Sequence, residues 1–389
     1  RKQGSEMAQC KRILMSLIFF ASVFIPLHRT NASLQPELTV GIMSERHIVT
    51  VTGRNTVLYV HRTLEDDPFL IVPMGEKLVV EEKSGAFWVN GTEQKSDRLI
   101  VQPSGSGFVE VDGSPYRGYI TLFKKAGMTV VNNVLIEDYL YGVVPKEMPA
   151  SWRSEALCAQ SVAARTFALK NRGRHRADGY DLCNTPECQV YEGMNAEAKA
   201  STDAVDATHG EVLFYQGEIA DALFHTDSGG MTESSENVWG SYVPYLRAVP
   251  EARAQTLPWN RSITSALFVQ KIESTGRKIG NLKEIKLSRL QIGNGKGDRS
   301  HAGRVLTMRI IGDKGNVVLG GNKIRSLFAL PSTLFNVRMQ KLTVEFNGYG
   351  SGHGLGMSQW GAEAFAERGK NYKEILRYYY TGVSVEKLY

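Results

Sequence analysis

Across residues 38–130 apolar and polar positions alternate in short runs, among them Val49-Thr50-Val51-Thr52, Thr56-Val57-Leu58-Tyr59-Val60 and Arg98-Leu99-Ile100-Val101-Gln102. Each run is bounded by Gly, Asn, Asp or Ser, and period-two alternation with that punctuation predicts a β-rich N-terminal region over 33–128. After residue 150 the period lengthens. Ala156, Leu157, Gln160, Ala163, Ala164, Phe167 and Ala168 predict a helix capped by Ser151 or Ser154 and ending before Gly173. Its alanines at 156, 159, 163, 164 and 168 permit close packing, so the helix is expected to lie buried across a sheet. A second helical pattern covers 196–207, and 211–225 reads as a hairpin around Gly217. Between 250 and 338 the texture alters: a short helix at 265–273, strands at 285–292, 305–311 and 316–319, and a Gly312-Asp313-Lys314-Gly315 turn. The chain closes with a glycine-dense stretch at 348–356 and a helix at 372–380. The fold class expected is α+β: a mixed sheet-and-helix core (129–250 plus 339–389), an inserted α+β module (251–338) and the β-rich region ahead of both.

Lys11 and Arg12 precede an apolar run over 13–27, and Thr30-Asn31-Ala32 offers a small-residue exit. Residues 1–32 therefore read as a leader, a secretory signal or short membrane anchor, which implies an exported protein. At 389 residues, 42% hydrophobic and 22% charged, the remainder is of ordinary globular composition. The net charge of +6 comes from 46 basic and 40 acidic residues without a long basic block or an aromatic-interleaved basic stripe, so nucleic acid is not an expected partner. Of four cysteines, Cys10 lies in the leader, Cys158 on the predicted helix, and Cys183 and Cys188 five apart in a loop. In an exported protein that pair reads as a small-loop disulfide, or alternatively as a zinc site recruiting His175. A tetrahedral site needs a fourth ligand, and no second histidine lies in the loop, so the disulfide is preferred and no cofactor is assigned.

Three segments carry residue types suited to chemistry. In Val143-Val144-Pro145-Lys146-Glu147-Met148-Pro149 a single carboxylate stands between two prolines in apolar company, where a raised pKa is expected; that makes Glu147 a candidate general acid. The prolines are expected to deny the segment regular structure. In His225-Thr226-Asp227-Ser228-Gly229-Gly230-Met231-Thr232-Glu233 a strand runs into a hydroxyl-rich double-glycine turn, which either brings backbone N–H groups to a ligand or closes on itself. In Gly352-His353-Gly354-Leu355-Gly356-Met357-Ser358-Gln359-Trp360 glycines flank a histidine, and a Trp suits the apolar face of a sugar ring.

These stretches, with Trp152, Glu155-Ala156-Leu157, Ala163-Ala164-Arg165-Thr166, Cys188-Gln189-Val190-Tyr191 and Val238-Trp239-Gly240, occur in an order that resembles the SpoIID/LytB family over roughly residues 130–389. The resemblance implies a lytic transglycosylase acting on peptidoglycan glycan strands, with Glu147 as catalytic residue. It implies substrate contacts from Gln189, Tyr191, Ser228, Gly229, Thr232, His353 and Gln359, and partners among cell-wall amidases and a membrane scaffold. It also allows a zinc-binding loop at Cys183 and Cys188. Hydrolysis of a glycosidic bond generally takes two carboxylates, whereas a transglycosylase can use one, because the sugar's own 6-hydroxyl is the nucleophile. The rivals are a muramidase pairing Glu147 with Glu233 or Asp227, a non-catalytic amidase enhancer, and a serine hydrolase built from Ser228 and His353.

Overall fold

The computed structural model describes residues 34–252 and 257–389; the leader expected at 1–32 lies outside them. Among the described residues no helix is long and apolar enough to cross a membrane. The alternating N-terminal runs form two sheets. One has seven strands in the order Leu182–Cys183, Glu37–Arg46, Met128–Leu135, Tyr119–Lys124, Arg98–Pro103, Leu58–His61 and Leu70–Val72. The other has six, with Ile48–Arg54 between Phe108–Val111 and Lys77–Lys83. Every second residue of Ile48–Arg54 is buried, at Val49, Val51 and Gly53, which is the pleat expected of a strand with one face on a core.

A boundary at 128 would cut through this architecture. Glu37–Arg46 pairs antiparallel with Met128–Leu135 on one side and parallel with Leu182–Cys183 on the other. One apolar core accordingly runs from Leu38 to Val383.

Among the described residues there are eight α-helices: α1 (Ile136–Glu147), α2 (Ser154–Lys170), α3 (Lys199–Ala207), α4 (Ser235–Trp239), α5 (Ser265–Glu273), α6 (Gly321–Phe328), α7 (Gln359–Glu367) and α8 (Tyr372–Tyr379). Helix α1 corrects the expectation of an irregular segment at Glu147, because Pro145 lies inside it and Glu147 is its last residue. Ile136, Tyr139, Leu140, Val143 and Val144 fall at helical spacing and are all fully buried. That face outweighs a proline cost of about 3 kcal/mol, and the helix stops two residues beyond the proline.

Helix α2 is buried continuously from Ala156 to Ala168. It packs among α1, α3, α7, α8 and the strand Glu211–Tyr215 rather than across the large sheets. Its cap is neither expected serine. Arg153 is the N-cap, and Glu363 of α7 accepts the Arg153 backbone N–H at 3.0 Å, so a tertiary carboxylate does the capping. Arg165 of α2, itself fully buried, makes a two-pronged pair with Glu137 of α1 at 2.7 and 2.6 Å. Glu137 also accepts the Gly210 N–H and the C-terminal Tyr389 hydroxyl.

Residues 258–349 build a second apolar core of their own, centred on Phe268, Phe328, Phe335 and Phe346. The helix expected at 265–273 is α5, whereas α6 carried no helical signal in the sequence reading. A boundary at 338 would remove Thr343–Tyr349, the central strand of this module's sheet between Pro258–Thr264 and Phe335–Met339. The strand expected at 285–292 is shorter and earlier, Leu282–Lys286.

Candidate active site

The N-terminal half of the core delivers Glu147 at the end of α1; the C-terminal half delivers the histidine-glycine segment. Two short parallel strands, Phe224–His225 and Met357–Ser358, join the latter to the double-glycine turn, and Asp227 bridges to Ser351 alongside them. Ser358 then caps α7 by accepting the Gly361 N–H, which sets Gln359 at the first helical position. Between these pieces lies a cleft of about 460 Å³ lined by Glu147, His225, Thr226, Trp239, Arg325, His353 and Gln359, with Arg174, Glu187 and Cys188 at one side.

Glu147 is held from two directions. Val190 N–H donates to its Oε1 at 3.2 Å, and the Gln359 side chain bonds to it while also donating from Nε2 to Gln160 Oε1 at 3.3 Å. Burial raises the Glu147 carboxyl above its ordinary range, and these two hydrogen bonds only partly offset the rise. Its position at a helix C-terminus, the negative end of the dipole, acts in the same direction. The neighbouring Lys146 pairs with Glu192 at 3.0 Å instead.

His353 is tied down as an imidazole. Its Nδ1 accepts the Leu355 N–H at 2.9 Å, and burial together with the Arg304 and Arg325 charges lowers its pKa to about 4. His225 stands 5.5 Å away ring to ring and is likewise held neutral, by burial and by His353 and Arg304. Because Leu355 O can only accept, the 3.0 Å contact makes His225 Nδ1 the donor. Both histidines therefore shape the cleft wall without adding positive charge near neutral pH.

Of the residues expected at the substrate, Glu147, His353 and Gln359 come together in the cleft. Gln189, Tyr191, Ser228, Gly229 and Thr232 are not among its lining. Gln189 is fully buried, accepting from Tyr139 hydroxyl at 3.1 Å and donating to Ala164 O at 3.3 Å. Tyr191 donates to Asn132 at 2.7 Å and fills the space against Gly142, where a Cβ would meet its ring at 2.7 Å. Ser228 Oγ accepts the Gly230 N–H at 3.2 Å and closes the turn on itself, while Thr232 Oγ1 accepts that of Val249 at 2.8 Å and ties the turn to the segment ahead of Pro250. Gly229 adopts φ +79, and a Cβ there would strike Leu334. These residues support the cleft from behind.

The carboxylates proposed as second acids are also engaged elsewhere. Asp227 Oδ1 accepts the Gly229 N–H at 2.9 Å. Glu233 accepts from Ser234 N–H, Asn237 and the Ser300 hydroxyl, which fastens the module to the core. Apart from Glu147, the acid lining the cleft among the described residues is Glu187, whose Oε1 lies 4.0 Å from His175 Nε2.

The disulfide expected between Cys183 and Cys188 is not formed. Both are free thiols with Sγ atoms 2.8 Å apart, and both turn towards His175. The donor atoms of all three lie within 4.8 Å of one another, and buried His175 Nε2 has no hydrogen-bond partner. Asp178 meets the other ring nitrogen at 3.0 Å, the usual outer support of a metal-binding imidazole. Two thiols and an orphaned imidazole nitrogen fit a zinc ion in donor type.

Trp239, Arg174, His225 and Arg325 were missed as cleft residues. Trp239 and His225 lie in motifs visible in the sequence, whereas Arg325 reaches the cleft only because the module folds over it.

An α+β scaffold in which α1 presents a partly buried acid to a cleft shared with a glycine-sheathed histidine defines the class of protein. Residues 124–215 match the SpoIID family, described as stage II sporulation protein, and residues 246–356 match a domain of unknown function, DUF8618. The chain is 31% identical to stage II sporulation protein D of Bacillus subtilis over 313 residues, 76% of this chain and 86% of that protein. It is 33% identical to an uncharacterized protein of Brachyspira hyodysenteriae over 88% of this chain and 85% of the relative. It is 28% identical to the amidase enhancer of Bacillus subtilis, over 78% of this chain and 49% of that longer protein. The chain belongs to the SpoIID family.

Proposed function

We infer that this protein is an exported lytic transglycosylase that cleaves the glycosidic bond between MurNAc and GlcNAc in peptidoglycan glycan strands, with Glu147 as sole acid and base. The observation that carries this reading is the raised, cation-free Glu147 in a cleft whose other acid faces the His175 cluster. Protonated Glu147 gives its proton to the departing glycosidic oxygen as the C1–O bond breaks. The 6-hydroxyl oxygen of the same muramic acid attacks C1, and the Glu147 carboxylate takes the hydroxyl proton. The acid is thereby restored, a 1,6-anhydro ring is formed, and no water is consumed. Gln359 keeps the carboxyl oriented through both transfers, and neutral His353 and His225 avoid repelling the developing oxocarbenium charge.

Mass spectrometry of digested glycan strands tests the reaction. Anhydro products from wild type, with a loss of about 10²–10⁴-fold in Glu147→Gln, are expected. Reducing-end sugars would instead indicate a hydrolase. A second reading, a wall-binding enhancer of an amidase, is favoured by the likeness to a protein named amidase enhancer. It predicts no cleavage of bare strands by the purified chain and faster release of peptides when an amidase is added.

The His175, Cys183 and Cys188 cluster is proposed to hold structural zinc. The ion would clamp the loop whose Val190 N–H reaches Glu147.

A further inference from the structure

The module matching a domain of unknown function contributes a charged group to the cleft. Arg325, on α6, lines both the 460 Å³ cleft and an adjoining hollow of about 440 Å³ that also takes in Trp239, Asn322, Ala329 and His353. Trp239, Arg325 and His353 are common to both spaces, so one groove continues from Glu147 onto the module.

Within that groove Arg325 has no anionic partner among the described residues. Its Nε donates to Leu330 O at 3.3 Å, and burial alone, with no acidic neighbour, weakens its hold on the proton. The Nη groups remain for a ligand. Trp239 is 48% exposed, an unusual state for the largest apolar side chain, and it stands at the end of α4 just before Gly240 in the left-handed conformation. Asn322 of α6 donates to Val238 O at 2.9 Å, which locks the helix carrying Arg325 to the helix carrying Trp239. A flat apolar face and a planar two-pronged cation are thus held side by side from two modules.

We propose that the module builds an additional glycan subsite, in which Trp239 stacks on the apolar face of a sugar ring and Arg325 binds the carboxylate of a carboxyl-bearing amino sugar. An aromatic face suits the C–H side of a pyranose, and a guanidinium recognises carboxylate through paired N–H donors that a hydroxyl cannot match. The subsite rests on the glycan-cleaving reading for its ligand class, since it is an extension of the same groove. Arg174, the other arginine of the cleft, lies on the Cys188 side and serves as control.

The test is calorimetric binding to the full chain carrying Glu147→Gln, which prevents turnover. The probes are a peptide-free tetrasaccharide of alternating GlcNAc and MurNAc, the same tetrasaccharide with its carboxyls reduced to alcohols, and chitotetraose. Adding Arg325→Ala is expected to weaken the carboxylate probe by about tenfold to a hundredfold while leaving the reduced probe and chitotetraose unchanged. Trp239→Ala weakens all three, and Arg174→Ala preserves the discrimination. Unchanged discrimination in Arg325→Ala, an equal loss for all probes, transfer of the effect to Arg174, or no binding of any probe would each overturn the subsite. Because binding is read without cleavage, discrimination by Arg325 alongside an absence of anhydro products from wild type would sink the transglycosylase reading and leave the subsite standing.

Discussion

Glu147 and Glu251 are both carboxyls raised by burial, and they bear on different measurements. For Glu147 the proton is the reagent, so turnover falls as pH rises through its elevated pKa. The Gln359 hydrogen bond lowers that pKa, so Gln359→Ala is expected to move the alkaline limb of the pH–rate profile to higher pH. A limb that stays in place would remove Gln359 from the support of the acid. Glu251 is pushed up to about 7 by burial from 4.5, with the Tyr379 hydroxyl donating to it at 3.2 Å. Here the native state holds the proton more tightly than the unfolded chain does. Stability is therefore highest below about pH 4.5 as far as this group is concerned and falls as pH rises to about 7, by on the order of 3 kcal/mol. Glu251→Gln should flatten that part of the stability profile, read from denaturant midpoints at several pH values.

Helix α1 can present Glu147 because the buried Arg165–Glu137 pair bolts it to α2. Burial by itself would raise Glu137, but the Arg165 hydrogen bond and charge overcome it and hold the carboxyl below its usual value. That contribution is present above the unfolded carboxyl range and is lost as pH falls through the lowered native pKa. Removing one partner strands the other: Glu137→Ala is expected to cost about 3–5 kcal/mol, whereas the double change Glu137→Leu with Arg165→Met should recover much of it. Chemical denaturation checks both. The loop from Cys183 to Val190 has its own test. Purified protein is expected to carry about one zinc by elemental analysis, and Cys183→Ser with Cys188→Ser should abolish it. Metal-free protein with a linked Cys183–Cys188 pair would restore the disulfide reading.

At the scale of the molecule, the cleft depends on how the module is fastened to the core. Arg304, fully buried, donates to Ser228 O at 2.9 Å, while Ser300 donates to Glu233. These ties cross from the module to the double-glycine turn, and they give Ser228, Gly229 and Glu233 a supporting purpose behind the cleft. Arg304→Met leaves the buried Ser228 carbonyl unpaired and is expected to destabilise the chain by about 1–3 kcal/mol. It should also expose the module junction to limited proteolysis before the β-rich region is cut. Equal protease resistance would mean that the module is held chiefly by its apolar contacts.

Local pattern was sufficient for much of the scaffold. Period-two alternation marked the strands over 38–130, and small-residue spacing marked α2, because burial leaves a regular trace in the chain. The same rule would have found α1, whose apolar positions 136, 139, 140, 143 and 144 keep helical spacing. Pro145 masks them, since a single breaker is visible locally and the burial that overrides it is not. Glu147 and its apolar company, with His353 and Gln359, were likewise legible from residue type and motif order. Only the tertiary structure decided that Gln189, Tyr191, Ser228 and Thr232 turn inward to hydrogen-bond the scaffold, and that Cys183 and Cys188 face His175. It alone brought Arg325 over the cleft. A hydrogen bond or an unpaired charge depends on which distant groups the fold places within about 3 Å, and chain order carries no record of that distance.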